Sequence, residues 1–183
     1  MAKDIWVISD THFNHRNILT FEDNVGKPVR QFDDVVHMNE TMINNWNSVV
    51  KPGDIVYHLG DVLFGMDKLQ WLDNHMKRLY GKKRLLFGNH DNPAHFVKTG
   101  YFGKTMLWRQ WPEYNILMTH VPVHESTLAE KHRWKYDRPV LNVHGHIHQN
   151  ASPKGPYKCV CVEQINYTPV HIEDLAKIAK KLT

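Results

Sequence analysis

Two cysteines in 183 residues are too few for a disulfide framework. They stand at Cys159 and Cys161, alternate positions of the strand-like run Lys-Cys-Val-Cys-Val, and so would share one face. A disulfide there would need backbone distortion, and two thiols alone would leave a metal short of ligands. They read as buried thiols on a sheet face, in a chain with no sign of an oxidising compartment. Long apolar runs are missing as well: segments such as Ile116 to Met118 fall far short of the ~20 residues that span a bilayer. No apolar signal-peptide core precedes the first strand, which points to the cytoplasm and away from a membrane partner. Neither repeats nor low-complexity or linker-like tracts divide the sequence, so residues 1–183 are expected to form one domain.

Histidine, in contrast, is abundant, with 14 residues spread singly or in close pairs. Hydrophobic residues at 42% and charged residues at 23% are ordinary for a globular chain and argue against disorder. A net charge of +4 and a pI near 9.0 favour an anionic partner without naming it.

Short apolar runs predict strands at Ile5–Ser9, Ile55–Leu59, Arg84–Phe87, Asn115–Thr119, Val140–Val143 and Tyr157–Val162. Helical spacing fits Asp33–Ser48, Asp67–Leu79 and, after Pro169, Ile172–Leu182. The first half alternates strand and helix, which predicts parallel βαβ pairing. The second half is mostly strands. The expected fold is α/β (α+β), a mixed sheet or two-sheet sandwich flanked by helices, with ligands gathering beyond the carboxyl ends of the strands.

Five polar clusters occupy those places: Asp10-Thr-His12, His58-Leu-Gly60-Asp61, Gly88-Asn89-His90-Asp91, Thr-His120 and His144-Gly145-His146-Ile-His148. Singly each is weak, since Gly-Asp is a common turn and a lone Asp-x-His is more often a solvated loop. Their joint occurrence, each at a strand's end, carries the inference. Aspartate, histidine and asparagine together suit two divalent ions, with Mn first and Fe, Zn or Ni as alternatives. Two divalent ions against two aspartates and one hydroxide keep a charge of about +1, enough to attract a phosphate oxygen and acidify a bound water.

In that order the clusters resemble the signature of the calcineurin-like metallophosphoesterases, namely Asp-x-His, Gly-Asp, Gly-Asn-His-Asp/Glu, a lone His and Gly-His-x-His. The resemblance implies a β-sandwich flanked by helices. It implies that Asp10, His12 and His148 hold one metal, that Asn89, His120 and His146 hold the other, and that Asp61 bridges them. His90 would then stabilise the phosphoryl transition state or protonate the leaving oxygen, with Asp91 orienting it, while a bridging hydroxide attacks phosphorus in line. The family's protein phosphatases carry a downstream Asp-Arg-Gly after Gly-Asp and have Gly-Asn-His-Glu. Here Gly60-Asp-Val-Leu-Phe-Gly65 and Asp91 replace these, which disfavours a protein substrate. The Asp-Thr-His-Phe opening with Asn14, His15 and Asn17 is similar to small bacterial and phage phosphoesterases. The implied activity is hydrolysis of a phosphodiester, ahead of a phosphomonoester, in a nucleotide, a nucleic acid or another small ester.

Asn14, His15 and Arg16 are candidates for substrate contact. The basic, aromatic stretch Lys131–Arg138 is a second candidate. The stretch Lys77 to Arg84, with Lys82, Lys83 and Arg84, reads as a solvated turn between helix and strand, and Trp46, Trp71 and Trp108 as core or interface residues without a function. His90-Asp91 also suggests a helical HD-type phosphohydrolase, but that dyad sits within a helix, whereas this one follows a strand and a glycine turn. A metallo-β-lactamase-type site would need an Asp-His pair after His148, where Gln149 and Asn150 stand. A non-catalytic metal-dependent binding module on the same fold is the alternative function. The oligomeric state is not written in the sequence.

Overall fold

The computed structural model describes residues 3–65, 68–128 and 139–182. Along the first half run β1 (Ile5–Ile8), α1 (Val35–Val49), β2 (Ile55–His58), α2 (Lys68–Met76), β3 (Lys82–Leu86), α3 (Pro93–Thr99) and β4 (Phe102–Met106). The second half holds β5 (Trp108–Trp111), β6 (Ile116–Thr119), β7 (Leu141–His144), β8 (Tyr157–Cys159), β9 (Val170–His171) and α4 (Ile172–Lys180). The helices start where side chains cap them: Asp34 accepts from the His37 N–H at 2.7 Å, and Asn92 precedes Pro93 at the start of α3.

Two mixed sheets form the body. One has the order β4-β3-β2-β1-β9, parallel except for β9, and the other the order β5-β6-β7-β8, parallel except for the β5–β6 pair. Period-2 alternation divides the first sheet's side chains between two cores. Ile8, Val56 and Leu85 face α1 and α2 with Trp46, Met42 and Leu72. Val7, Tyr57 and Leu86 meet Ile116, Met118 and Val143 of the second sheet, and α4 adds Ile172 and Leu175 to that layer. This is the sandwich of mixed sheets flanked by helices that the sequence predicts.

Several elements differ from expectation. The predicted strand Tyr157–Val162 ends as a ladder at Cys159 and then leaves its sheet, because the Val160 N–H bonds to His144 O (2.8 Å) while Val160 O accepts from the Ser9 N–H (2.9 Å). It thereby stitches the two sheets together beside Asp10. Lys83 and Arg84 belong to β3 and are not a solvated turn. The Lys83 ammonium donates to Leu79 O and Gly81 O, and burial lowers it to about 8. Trp46 is buried as expected, but Trp108 is 60% exposed, on the outer side of the edge strand β5. Lys131–Arg138 and the Trp71 side chain lie outside the described residues.

Candidate metal centre

All five clusters leave the carboxyl ends of parallel strands, three from the first sheet and two from the second. Backbone bonds lace the loops together: Asp10 N to Gly60 O at 3.0 Å, His12 N to Asp61 O at 3.0 Å, and Gly145 N to His120 O at 2.8 Å. The motif glycines permit this approach. A Cβ at Gly88 would lie 2.1 Å from Asp61 Oδ1, and one at Gly145 would lie 2.1 Å from Ser9 Oγ and 2.3 Å from Asp10 Oδ2. Asp10, His12, Asp61, His146 and His148 all have positive φ, from 45° to 72°. Such conformations are uncommon outside glycine and concentrate where function fixes them.

Two donor sets result. Asp10, His12 and His148 offer atoms all within 4.8 Å of one another, and Asp61, His120 and His146 do the same. Asp61 lies between the sets, its Oδ2 at 3.6 Å from His12 Nε2 and 3.5 Å from His120 Nε2. Asn89 Oδ1 is 2.8 Å from His120 Nε2 and 2.9 Å from His146 Nδ1, which closes the second set. The seven expected ligands are therefore brought together, with Asp61 lying between the two sets.

These residues fit divalent ions. Asp10 Oδ1 and both His12 ring nitrogens are buried with no hydrogen-bond partner. Burying such polar atoms unpaired is costly, and a cation between Asp10 Oδ1 and His12 Nε2, 3.8 Å apart, would satisfy both. Ring tautomers agree. His120 Nδ1 lies 2.8 Å from Leu59 O and His148 Nδ1 lies 2.9 Å from Glu163 Oε1, so each Nδ1 keeps a proton and each Nε2 faces the centre, free to bind a metal once its own proton leaves.

Electrostatics separate the two carboxylates. Burial pushes Asp10 above the ordinary carboxylate range against the pull of His120. Burial acts on Asp61 too, but the hydrogen bond and charge of His120, the His90 N–H and His12 outweigh it and hold Asp61 well below that range. Burial, with the charge of Arg30, keeps His12 neutral, the form that binds metal.

Further residues, to which sequence reasoning gave no part in holding the ligands, complete the site. The Arg30 side chain is buried and donates to Asp10 O (2.6 Å), Thr11 O (2.8 Å) and Glu163 Oε1 (2.8 Å). Glu163 in turn holds His148. His58 touches Thr11 Oγ1 at 2.9 Å, and the Cys161 thiol donates to Asp10 Oδ2 at 3.3 Å. For Glu163 the available signal was an acid directly after a buried run. Asp91 has a different duty from the expected orientation of His90. Its carboxylate accepts from the N–H groups of Asp61 (2.8 Å), Val62 (3.1 Å) and Gly88 (2.9 Å), so it clamps two ligand loops together.

Two cavities flank the ligands. One, of about 330 Å³, is lined by His12, His15, His90, His148 and Asn150 among others. The other, a groove of about 760 Å³, borders Asn89 and His120 and is walled by apolar groups including Leu107, Trp108 and Val121. Of the three substrate candidates, His15 reaches the smaller cavity, stacked on Phe64 at 3.9 Å. Asn14 is tied through its N–H to Asn39, and Arg16 is exposed and does not line either cavity.

Residues 4–162 match the family model of the calcineurin-like phosphoesterase superfamily domain. The chain is 33% identical to an uncharacterized protein of Methanocaldococcus jannaschii over 98% of this chain and 93% of that one. It is 29% identical to the gene 66 protein of Mycobacterium phage L5, covering 78% of this chain and 76% of the phage protein. Among solved structures, a protein of unknown function from Aquifex aeolicus superposes with a TM-score of 0.69 at 26% identity, covering 97% of this chain and all of the other.

Proposed function

The chain belongs to the calcineurin-like phosphoesterase superfamily, and from that premise we propose that it hydrolyses phosphodiesters of nucleotide type at a two-metal centre. The observation that carries this reading is the pair of donor sets meeting at Asp61, with Asp10 Oδ1 and His12 Nε2 of the first set buried and unpartnered. Two divalent ions, when bound, supply charge for the phosphoryl oxygens and acidity for the attacking water, and Mn is the first choice for this mixed N/O donor set. Asp10, His12 and His148 would hold one ion, Asn89, His120 and His146 the other, and Asp61 both.

A diester is favoured over a monoester because the ligands border two cavities, one for each arm of the substrate. His90 lines the smaller cavity, so the arm seated there is the leaving group and His90 gives its oxygen a proton. His15 presents a second donor in the same cavity: its Nδ1 accepts from the Ile18 N–H at 3.1 Å, which leaves the proton on Nε2. Asp91 acts as a positioning residue.

The test compares bis-nitrophenyl phosphate with nitrophenyl phosphate on metal-free protein reloaded with Mn, Ni, Zn or Mg. Metal-dependent turnover that prefers the diester is expected. Turnover of the monoester alone would overturn the two-arm argument. Tight binding of two metal equivalents without any turnover would favour the binding module.

A further inference from the structure

Tyr57, Arg84 and Lys104 are register neighbours across β2, β3 and β4, and their row ends at the open edge of the sandwich, where β5 contributes Arg109. Together they line a cavity of about 350 Å³ in which three cations meet and, among the described residues, no carboxylate takes part. Arg84 and Lys104 are directly opposed on adjacent strands, a like-charge pairing that weakens a sheet. Among the described residues Arg84 reaches only neutral groups, donating to Tyr57 Oη and lying over that ring at 5.1 Å. Arg109 lies over Trp111 at 5.5 Å, and its Nε is buried with no hydrogen-bond partner. Some cations elsewhere have acidic partners, as in Arg78–Glu40 and Lys77–Asp73, whereas these three converge on one cavity. A concentration of unmatched positive charge that costs the fold stability calls for an anion from outside.

The cavity does not stand alone. Trp108 and Gln110 line both it and the apolar groove that reaches Asn89 and His120, so edge strand β5 is the shared wall between the cations and the metal centre. Trp108 presents its ring to solvent there, at 60% exposure. Alternating aromatic and cationic groups along one path suit a polymer with alternating bases and phosphates.

We propose that Arg84, Lys104 and Arg109 form an auxiliary phosphate site, joined through Trp108 to the metal centre, which holds the flanking nucleotides of a single-stranded nucleic acid. This rests on the phosphodiesterase reading and adds to it a substrate class and a polarity, since the strand enters from the Asn89 side. A base stacks on Trp108, and the phosphates beyond it meet the three cations.

The experiment measures binding of a fluorescein-labelled 12-nucleotide oligothymidylate to the calcium-loaded full chain by anisotropy, across a salt series. Wild type is compared with a triple variant carrying Arg84→Gln, Lys104→Gln and Arg109→Gln. A second variant carries Lys51→Gln, Lys98→Gln and Lys177→Gln, three exposed lysines elsewhere, and Trp108→Ala stands alone. The triple variant is expected to bind at least about 10-fold more weakly, with a salt slope smaller by about 2, at roughly 0.7 for each lost contact to a single strand. Trp108→Ala is expected to bind about 10-fold more weakly with the slope unchanged, because stacking releases no counterions. The lysine control should match wild type. Equal loss in the triple variant and the control would reduce the effect to net charge and overturn the proposal, as would an unchanged triple variant whose circular dichroism is native. Wild-type turnover of bis-nitrophenyl phosphate, measured alongside, separates the two readings. If it persists while the oligonucleotide result fails, only the auxiliary site falls, and if it is absent the hydrolase reading itself falls.

Discussion

On the Asp10 side of the metal centre, His148 leans on Glu163, Glu163 is gripped by Arg30, and Arg30 also fixes the backbone oxygens of Asp10 and Thr11. On the Asn89 side, His120 leans on the carbonyl of Leu59, and His146 stands exposed at the surface. The donors are similar, three nitrogen or oxygen groups a side plus Asp61, but one side rests on a buried ion pair and the other on backbone. A buried Arg–Glu pair is a poor way to gain stability, because desolvation offsets most of the attraction. Its worth here is geometric: one charged group ties together segments 133 residues apart in sequence. We expect the Asp10 side to hold its metal more tightly and exchange it more slowly than the Asn89 side.

The largest effect should come from the residue common to both sides. Asp61→Asn removes the charge shared between the sets and should lower metal-dependent turnover well beyond the roughly 10–100-fold loss typical of a residue that only supports a ligand. Calorimetric titration should show both binding steps weakened. If only one step weakened, Asp61 would belong to one side alone and the bridging geometry would be wrong.

Next comes a pH effect on the metal-free protein. His58 is held down to about 3 by complete burial, and it supports the Asp10 side through Thr11 and the Gly60 N–H. The folded protein thus binds its proton less readily than the unfolded chain, where histidine titrates near 6.5. Its contribution is complete above about pH 6.5 and is lost progressively as pH falls toward 3. The full loss should be on the order of 5 kcal/mol, at about 1.4 kcal/mol per unit. Urea unfolding between pH 7 and pH 4 should slope more steeply for wild type than for His58→Gln. Equal slopes would place the acid sensitivity elsewhere.

The asymmetry between the two sides also governs what a reader of the sequence could see. All seven candidate ligands were legible, because each follows a strand end and all but the lone His120 sit beside a glycine or another candidate within two residues. The βαβ half was legible for a related reason, since buried parallel strands are continuous apolar runs. Edge strands β4 and β5 escaped notice, being short, half-exposed and interrupted by Gly103, Lys104, Arg109 and Gln110. Arg30 and Glu163 escaped because their pairing is purely tertiary. Asp91 was found, but its partners were misjudged: adjacency to His90 suggested a side-chain pair, whereas the turn at Gly88 directs the carboxylate back onto backbone N–H groups.

Glu163→Gln sharpens the comparison most directly. The amide keeps the shape of the carboxylate but gives up the charge that pairs with Arg30 and accepts from His148. Affinity for the tighter-binding ion should fall about 10–100-fold, with the weaker step unchanged. If both steps fell together, the two sides would be one cooperative unit.

The smallest effect is expected from Cys161→Ala. The thiol is a weak donor, and Asp10 Oδ2, which it reaches at 3.3 Å, already accepts from the His146 N–H at 2.8 Å. Removing the sulfur leaves that oxygen satisfied, so affinity at the Asp10 side should fall by less than about 10-fold, below the loss seen when a charged support is removed. Competition with a chelator of known affinity would resolve so small a change. A loss as large as that of Glu163→Gln would mean that Asp10, and not His148, is the ligand whose placement limits the tighter site.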